Sequence, residues 1–457
     1  MNNKNIKSNK QRVNILTRFA FISVMLVAVL FMGLSNAIAQ AKSITLKEAI
    51  DLTIKNSHVL QAGKASINES AASVRQAQEN RLPTLGVSGS YLRLNNANVD
   101  VKIKSNNNSG GSSGNNTPKV SQAAYGIVNA SYSIFNGGRL KYGIESATYL
   151  QQATVLDVEY DRQAVILNAI NAFTNLYKAG TVVDVIKESL ASSRHRDSTF
   201  ISLEQNGLLA RNDLLKAQLE TSDIELSLLD AENNRNLATV NMNLMIGLAQ
   251  STQLIPDFNS VPQPGSIQNI EDYEAAALKN RKDIQALELR KKAANVNIKA
   301  AKTEGYPNIN LTAGYIAAYV PHVLTITNAI NAGIGIKYNL ASLWRTNTTL
   351  LKANAQQQMV LADEAQLNDV IRLQVNQDYQ NYLLAQKKID VYQVAVNQAT
   401  ENFRITKNKY DNNLVTTTDL LDADVALLRT KLNLSSAKAD AVSAYNKLLQ
   451  TAGQLPE

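Results

Sequence analysis

The stretch Asp213-Leu-Leu-Lys-Ala217 recurs 206 positions later as Asp419-Leu-Leu-Asp-Ala423, and this recurrence decides the fold. At the same offset, residues 132–247 align with residues 338–453 without a gap. Self-similarity of this length is typical of a structural unit that occurs twice in one chain. We therefore predict that the 457-residue chain is a single domain with internal pseudo-symmetry rather than two or three independent domains.

A second alignment register extends the repeat towards the N-terminus. At an offset of 224 positions, Lys55-Asn56 aligns with Lys279-Asn280 and Tyr91 aligns with Tyr315. The two offsets differ by 18 residues, so the first copy carries an insertion of that length after Tyr91. Within it, residues 105–118 are mainly Asn, Ser and Gly, which bury too little apolar surface to fold. This segment is predicted to be a flexible, exposed loop.

Residues 1–39 have the layout of a secretory signal peptide, with a basic start, an apolar run over 19–32 and the small-residue pattern Ala37-Ile-Ala39. A transmembrane anchor is the alternative, but the run is shorter than the ~20 residues that a span needs. Removing the five basic residues of this segment lowers the formal net charge from +8 to +3, with 41 basic against 38 acidic residues. The mature charge therefore does not indicate nucleic-acid binding, and the absence of cysteine excludes disulfides.

The repeat predicts how the chain is divided. Residues 40–247 form the first copy, residues 248–270 a linker and residues 271–457 the second copy. Each copy begins with a helix, which in the first copy starts at the capping box Thr45-Leu-Lys-Glu48 and continues to about residue 80. Strands with alternating character are predicted at about 84–93, 123–135, 308–319 and 326–340, and helical hairpins at about 139–247 and 343–453.

The hairpins are predicted to be unusually long. Residues 139–205 contain no proline, and 67 helical residues would extend for roughly 100 Å. A turn is expected at Asn206-Gly207, with its counterpart near Asn412-Asn413. After the first turn, apolar residues step by four, seven and three positions, which indicates a coiled-coil seam within an antiparallel hairpin. The predicted seam residues are Leu215, Leu219, Leu226 and Leu229.

The four strands carry apolar residues on one face and Asn, Ser, Thr or Gly on the other. A half-buried sheet of a soluble protein would show the same alternation. The signal peptide, together with aromatic residues placed where the strands meet the long helices, favours a membrane sheet with an aromatic girdle. The predicted girdle residues are Tyr132, Phe135, Tyr338 and Trp344.

Four strands are too few to close a membrane barrel, which needs at least ~8. Two copies of the chain would give the smallest barrel, filled by its own side chains, whereas three copies would give about twelve strands around a water-filled lumen. Strand counting therefore predicts a homotrimer.

With these features in place, the chain resembles the TolC-type outer-membrane efflux protein family over essentially all of its mature length. The resemblance rests on the duplication and on three motifs, which are Tyr132-Ser-Ile-Phe-Asn-Gly-Gly-Arg139, Asn206-Gly-Leu-Leu-Ala-Arg-Asn-Asp213 and the segment 410–423. It implies a mainly α-helical fold with a small β part, in which three protomers share a twelve-stranded β-barrel and their hairpins form a periplasmic α-barrel.

The resemblance also implies a function. The family supplies the outer-membrane exit duct of tripartite efflux or type I secretion systems, which export small molecules, drugs or proteins. The implied partners are two further protomers, a periplasmic adaptor (membrane fusion protein), an inner-membrane pump of the RND, ABC or MFS type, and outer-membrane lipid.

Candidate site residues follow from the same resemblance. Asp419 and Asp422 lie three apart on one helix face, at positions that form the periplasmic entrance constriction in the family. Tyr410 and Asp213 match a gate network, but the family's gate arginine position is Val415 here. For the aspartates, the alternative is that the helix macrodipole favours acidic residues in a first turn.

Apolar residues at the two hairpin turns are candidates for adaptor docking. Ordinary packing across the turn is the alternative. The predicted docking residues are Gly207, Leu208, Leu209, Leu414 and Val415.

No pattern in the sequence indicates an enzyme. Nucleophile-elbow and P-loop motifs are absent, and His58, His195 and His322 are isolated in sequence, so no catalytic residue, cofactor or metal ligand is predicted. A passive general porin and a coiled-coil protein without a pore are the competing functions. The length of the helices argues against the first, and the four amphipathic strands argue against the second.

Overall fold

The structure is a computed structural model that describes residues 42–98, 119–261, 267–321 and 323–456. The predicted signal peptide, the predicted loop at 105–118 and His322 lie outside these residues. The prediction of a mainly helical chain with a small strand part is confirmed. No helix among the residues in these ranges combines the length and the apolar character needed to cross a membrane.

The same order of elements occurs twice. The first copy contains α1 (Leu46–Asn56), α2 (His58–Glu79), β2 (Thr84–Asn98), β3 (Lys119–Phe135), α3 (Arg139–Gln205) and α4 (Arg211–Ile246), preceded by β1 (Lys42–Thr45). The second copy contains α5 (Ile270–Asn280), α6 (Lys282–Lys302), β5 (Asn308–Val320), β6 (Leu324–Lys337), α7 (Thr348–Asp411) and α8 (Thr417–Thr451). A further short strand, β4 (Leu254–Asp257), lies between the copies.

Contacts divide the chain into two compact units, and each unit draws on both copies. The first contains the described residues within 1–57, 165–266 and 380–447, and the second contains those within 58–164, 267–379 and 448–457. The unit boundaries therefore do not coincide with the copy boundaries. The two copies are not separate domains.

The second unit contains a four-stranded antiparallel sheet with the strand order β2-β3-β5-β6. Pairing of β3 with β5 joins the first copy to the second. One row across the sheet consists of the apolar residues Val87, Val128, Tyr315 and Ile330. The adjacent row, which faces the other way, consists of Gly86, Asn129, Gly314 and Asn331.

No described part of the chain covers the apolar face of this sheet. Val87 is 77% exposed and Ile330 is 81% exposed. Most of the strands are longer than predicted, because β2 continues to Asn98 and β3 begins at Lys119. At the other end, β6 stops at Lys337, so Tyr338 lies just after the strand rather than in it.

The first unit contains a two-stranded parallel sheet that the sequence did not indicate. Strands β1 and β4 pair from Lys42 with Leu254 to Thr45 with Asp257. Four-residue strands are too short to show a periodic pattern, and β4 falls in the segment predicted to be a linker. Thr45 caps the helix as predicted, since the Glu48 backbone N–H donates to Thr45 Oγ1 at 3.2 Å, while the Glu48 carboxylate pairs with Lys42.

The single helix predicted up to residue 80 is wrong, because the chain breaks it at Ser57, whose backbone is extended. The break brings Asn56, the last residue of α1, to the C-terminal end of α4, where Asn56 Nδ2 donates to the Ile246 carbonyl at 2.7 Å. The adjacent Gly247 has φ +75°, and a Cβ there would lie 2.7 Å from Asn56 Cγ. Glycine is required at this joint.

The second copy has the equivalent joint. Helix α5 ends at Asn280, and Gly453, which has φ +66°, packs against it after α8. A Cβ on Gly453 would lie 3.0 Å from Asn280 Cβ. Asn280 corresponds to Asn56 at the offset of 224 positions, and Gly453 corresponds to Gly247 at the offset of 206 positions. The contact therefore joins residues from the two alignment registers in both copies.

The predicted coiled-coil seam of α4 is also wrong. Its four leucines are between 50% and 66% exposed. The residues that pack within the hairpin belong to a second stripe of α4, which is less apolar and includes small side chains that allow close helix approach. The buried residues of this stripe include Leu214, Ala217, Thr221, Ile224 and Ala231.

Candidate functional site

The two hairpin turns have the same backbone design. Gly207 and Asn413 adopt left-handed conformations, with φ +73° and +56° respectively. In the first turn, the Leu208 N–H donates to the Leu203 carbonyl at 2.8 Å, and in the second the Leu414 N–H donates to the Lys409 carbonyl at 2.9 Å. These bonds close Schellman motifs, so both turns lie where the sequence predicts them.

Each turn presents one leucine to solvent. In a Schellman motif the residue after the left-handed position frequently packs back on the helix. Here Leu208 is 75% exposed and Leu414 is 72% exposed, so neither packs in this way. Leu209 and Val415 are half-buried, and Leu209 packs against the core below the turns. The predicted docking set therefore divides into exposed and structural residues.

A hydrophobic cluster lies directly below the turns and joins the two hairpins. Its buried members are Phe200, Leu214, Ala217, Leu420 and Leu421. Tyr410 packs on this cluster, with its ring centroid 5.7 Å from that of Phe200. Its hydroxyl accepts a hydrogen bond from Thr417 Oγ1 at 3.4 Å. Tyr410 is thus held between the end of α7 and the start of α8.

Asp419 acts as a capping residue in the first turn of α8. Its carboxylate accepts hydrogen bonds from the Thr416 N–H at 2.8 Å and from Thr416 Oγ1 at 2.7 Å, and its own N–H donates to Thr416 Oγ1 at 3.2 Å. The hydrogen bond from the Thr416 side chain, followed by that from its backbone, lowers the pKa of Asp419. The capping role and an entrance role are compatible, because the carboxylate remains exposed and charged.

Asp422 and Asp213 have different surroundings. Asp422 is exposed and forms no ion pair with any residue that the structure describes. Asp213 lies in the first turn of α4, 3.9 Å from Lys216 Nζ. Among the described contacts, no hydrogen bond joins Asp213 to Tyr410, so within one chain the predicted gate network is not assembled.

Farther from the turns, a polar group links the two hairpins through Arg196. This residue of α3 forms an ion pair with Asp424 of α8, and the two side chains are only 11% and 12% exposed. Arg196 Nη2 donates to Ser193 Oγ at 2.8 Å, while its buried Nε has no partner. We call Arg196, Asp424, Ser193 and Glu220 the polar node.

The polar node also holds an excess of carboxylates. Burial, followed by the nearby charge of Asp223, raises the pKa of Glu220, and Arg196 opposes this shift. Asp424 and Asp422 raise the pKa further. Arg196 is therefore the cation that offsets a local accumulation of negative charge between α3, α4 and α8.

Sequence reasoning missed the polar node. Arg196 lies in the run Ser193-Arg-His-Arg-Asp197, where it looks no different from the exposed Arg194. A signal was present in the sequence, because the apolar residues Val183, Ile186 and Leu190 of α3 recur in steps of three and four, and Ser193 follows at the next step. The next residue at this spacing is Asp197, whose Oδ1 is buried without a partner among the described residues. The buried face of α3 is therefore interrupted by polar residues here.

The four predicted girdle residues, Tyr132, Phe135, Tyr338 and Trp344, all have exposed side chains near the ends of β3 and β6. Among the residues described, no group of three or more His, Asp or Glu side chains could hold a metal ion.

The family model described as "Outer membrane efflux protein" matches residues 49–248 and 275–454, which are the two copies. "Toxin and drug export protein A" of Aggregatibacter actinomycetemcomitans is 22% identical over 425 residues, covering 89% of this chain and 85% of that protein. The "Cation efflux system protein CusC" of Escherichia coli K12 is 24% identical over 431 residues, covering 88% and 86%.

Solved structures show the same fold. A CusC crystal structure superposes with a TM-score of 0.74 at 20% identity, covering 89% of this chain and 92% of the other. The outer membrane protein VceC of Vibrio cholerae superposes with a TM-score of 0.72 at 21% identity, covering 89% and 96%. Because the family model spans both copies and hence most of the chain, this protein belongs to the outer membrane efflux protein family.

Proposed function

We propose that this efflux protein works as a homotrimeric exit duct in the outer membrane, with its hairpins in the periplasm. In this proposal a periplasmic adaptor connects it to an inner-membrane pump of the RND, ABC or MFS type. The observation that carries the proposal is the four-stranded sheet, which has an uncovered apolar face and two edges, β2 and β6, that are unpaired among the described strands. Both features are costly in water and are satisfied by lipid and by neighbouring copies.

Three copies joined edge to edge would supply about twelve strands, enough to enclose a lumen, whereas one copy cannot close. The polar row of Asn129 and Asn331 would line this lumen, and the row of Val87 and Ile330 would face lipid. The exposed leucine stripe of α4 supports the same assembly, because in water it needs a partner helix. That stripe continues beyond the four predicted leucines to Leu237 and Leu244.

The joint between β3 and β5 predicts how two protomers meet. At the repeat offsets, β6 is the counterpart of β3, and β2 is the counterpart of β5. Because β3 pairs with β5 within one chain, β6 of one protomer should pair in the same way with β2 of the next protomer. Val128 pairs with Tyr315, which predicts that Ile334 pairs with Tyr91 of the neighbour. The variant Ile334→Cys with Tyr91→Cys is expected to form a disulfide-linked three-chain species on a non-reducing gel.

The chain has no native cysteine, so any disulfide between protomers must involve the introduced cysteines. Ile336→Cys with Tyr91→Cys is the control, since its register is shifted by two residues and its yield should be far lower. A monomer with the first pair, despite insertion in the outer membrane, would contradict the proposed assembly.

The entrance is expected to be cation-selective. In a trimer, three copies of Asp419 and Asp422 converge on one axis, and their summed negative charge attracts cations. Replacing both residues with Asn should reduce the cation preference and the block by trivalent cations in single-channel recordings. Asn removes charge at similar size, and Asn at 419 can still cap the helix.

Asp440→Asn, on the same helix, is the control, because Asp440 pairs with Lys178 away from the turns. Unchanged selectivity and block in the double variant would show that the aspartates only start the helix. A protein that inserts but never conducts would contradict the exit-duct function itself.

Adaptor docking is expected to depend on the exposed leucines of the turns. Leu208→Ser with Leu414→Ser should leave the melting temperature nearly unchanged, since both side chains are exposed, while greatly reducing in-cell crosslinking to the adaptor and export. Leu209→Ser is the control, because it packs on the core and should lower the melting temperature instead. Retained crosslinking in the double variant would exclude these leucines as the docking surface.

A passive porin is the weaker alternative, because it gives no role to the paired turns. Toxin, drug and cation export are named for the two relatives. For this chain we propose that the pump selects the substrate.

A further inference from the structure

A cavity lies where the sheet of the second unit meets its helices. Its volume is about 420 Å³, and its lining includes Arg81, Lys141, Tyr132, Ile134 and Phe135. Arg81 lies in the turn between α2 and β2, and Lys141 lies in the first turn of α3. Two separate elements thus bring cations to the same place at the end of β3. We call this cavity the collar niche.

The two cations of the collar niche are not neutralised by any carboxylate that the structure describes. Both side chains are exposed, and neither forms an ion pair with a carboxylate among the residues that the structure covers. The remaining lining residues supply no carboxylate. Two cations in a lining that contains no carboxylate make the niche suited to an anion.

Beside the two cations, the lining combines the large side chains of Tyr132, Ile134 and Phe135 with the uncharged polar residues Ser133 and Asn136. Tyr132 and Ile134 are exposed members of the apolar face of β3, and Phe135 ends the strand. A free inorganic anion would make no use of these large apolar side chains. A molecule that joins an anionic group to an apolar chain would use both kinds of side chain, with its charge on Arg81 and Lys141 and its chain along β3.

The second copy provides an internal comparison. The positions equivalent to Arg81 and Lys141 are Gly305 and Asn347, and both line a corresponding cavity of about 270 Å³. That cavity holds Lys302 and Arg345 together with Glu304, so its positive charge is partly compensated within the lining. The uncompensated cation pair belongs to the first copy alone.

We propose that the collar niche binds the headgroup phosphate of an anionic glycerophospholipid. The inference rests on the proposed membrane placement of the sheet, which puts the helix end of β3 at the periplasmic surface of the bilayer. Aromatic side chains are favoured at this depth, and Arg and Lys there bind lipid phosphate, Arg in bidentate fashion. A trimer would carry three such sites.

The test is native mass spectrometry of the full-length mature protein, released from detergent and titrated with phosphatidylglycerol or phosphatidylcholine of identical acyl chains. We expect a preference of about 30-fold for phosphatidylglycerol, since two cations near a lipid surface contribute about 1 kcal/mol each. Arg81→Gln with Lys141→Gln should abolish most of the preference. Lys302→Gln with Arg345→Gln, in the compensated cavity, should retain it.

Two outcomes would overturn the inference. The first is equal retention of the two lipids by the wild type, or an unchanged preference in the Arg81 and Lys141 variant. The second is displacement of phosphatidylglycerol by millimolar inorganic phosphate, which would identify a simple anion site. If the double variant does not assemble, the single variant Arg81→Gln, in an exposed turn, should still lose about fivefold.

Conductance measurements distinguish a failure of this inference from a failure of the proposed function. A trimer that conducts in planar bilayers but has no lipid preference would contradict lipid binding at the collar niche and would be consistent with the exit-duct function. A protein that neither assembles nor conducts would contradict the exit duct first.

Discussion

Replacing Arg196 with alanine is expected to destabilise the first unit by about 3–5 kcal/mol, the usual cost of removing one partner from a buried ion pair. Asp424 would remain buried without its cation, and the neighbouring Glu220 would lose the charge that opposes the rise of its pKa. Hydrogen–deuterium exchange of amides in α3 and α8 around the polar node should measure the loss, because it reports local opening without requiring complete unfolding.

Arg194→Ala is the matched control. Arg194 lies two residues away on α3 and pairs with Glu225, but both side chains are largely exposed, so its loss should cost less than about 1 kcal/mol. Arg196→Met with Asp424→Leu should recover much of the stability, since paired removal leaves no isolated charge. Equal effects of Arg194→Ala and Arg196→Ala would show that burial of the node does not matter.

Val128→Lys is expected to cost about 2–4 kcal/mol of membrane insertion if Val128 lies near the bilayer midplane. Val128 stands in the middle of the apolar row, between Val87 and Tyr315. An ammonium group there would have to leave water for lipid. The measurement is the fraction of folded protein recovered in the outer membrane, together with folding equilibria in lipid vesicles.

Asn129→Lys is the control one residue along the same strand. Asn129 belongs to the polar row, where it lies between Gly86 and Gly314, and its side chain is exposed. The Asn129→Lys variant should therefore insert in the membrane to the same extent as the wild type. If Asn129→Lys were the more damaging change, the assignment of the two faces of the sheet would be reversed.

The sequence predicted the parts of the fold that repeat. Two alignment offsets were sufficient to place four strands, two hairpins and both turns, because a duplicated pattern makes each assignment twice. Gly207 and Asn413 show the strength of this reasoning, since both adopt the left-handed backbone that a turn between helices requires.

What the sequence did not predict depends on contacts between distant residues. The seam of α4 was assigned to its leucines because they are the most apolar residues, whereas close packing selects Ala217 and Thr221. The joint at Asn56 requires this residue to meet Ile246, which lies 190 residues away in the chain. Arg196 was missed for the same reason, because its partner Asp424 lies on the other copy.

The pairing of β3 with β5 within one chain affects how assembly of the trimer depends on protein concentration. In the proposed trimer, six equivalent strand joints close the ring, and three of them are β3–β5 joints that lie within single chains. Those three form at an effective concentration set by the connecting chain, independent of how much protein is present. If each copy were a separate polypeptide, ring closure would depend on roughly the sixth power of subunit concentration rather than the third. The duplication therefore lets the ring assemble from scarce chains.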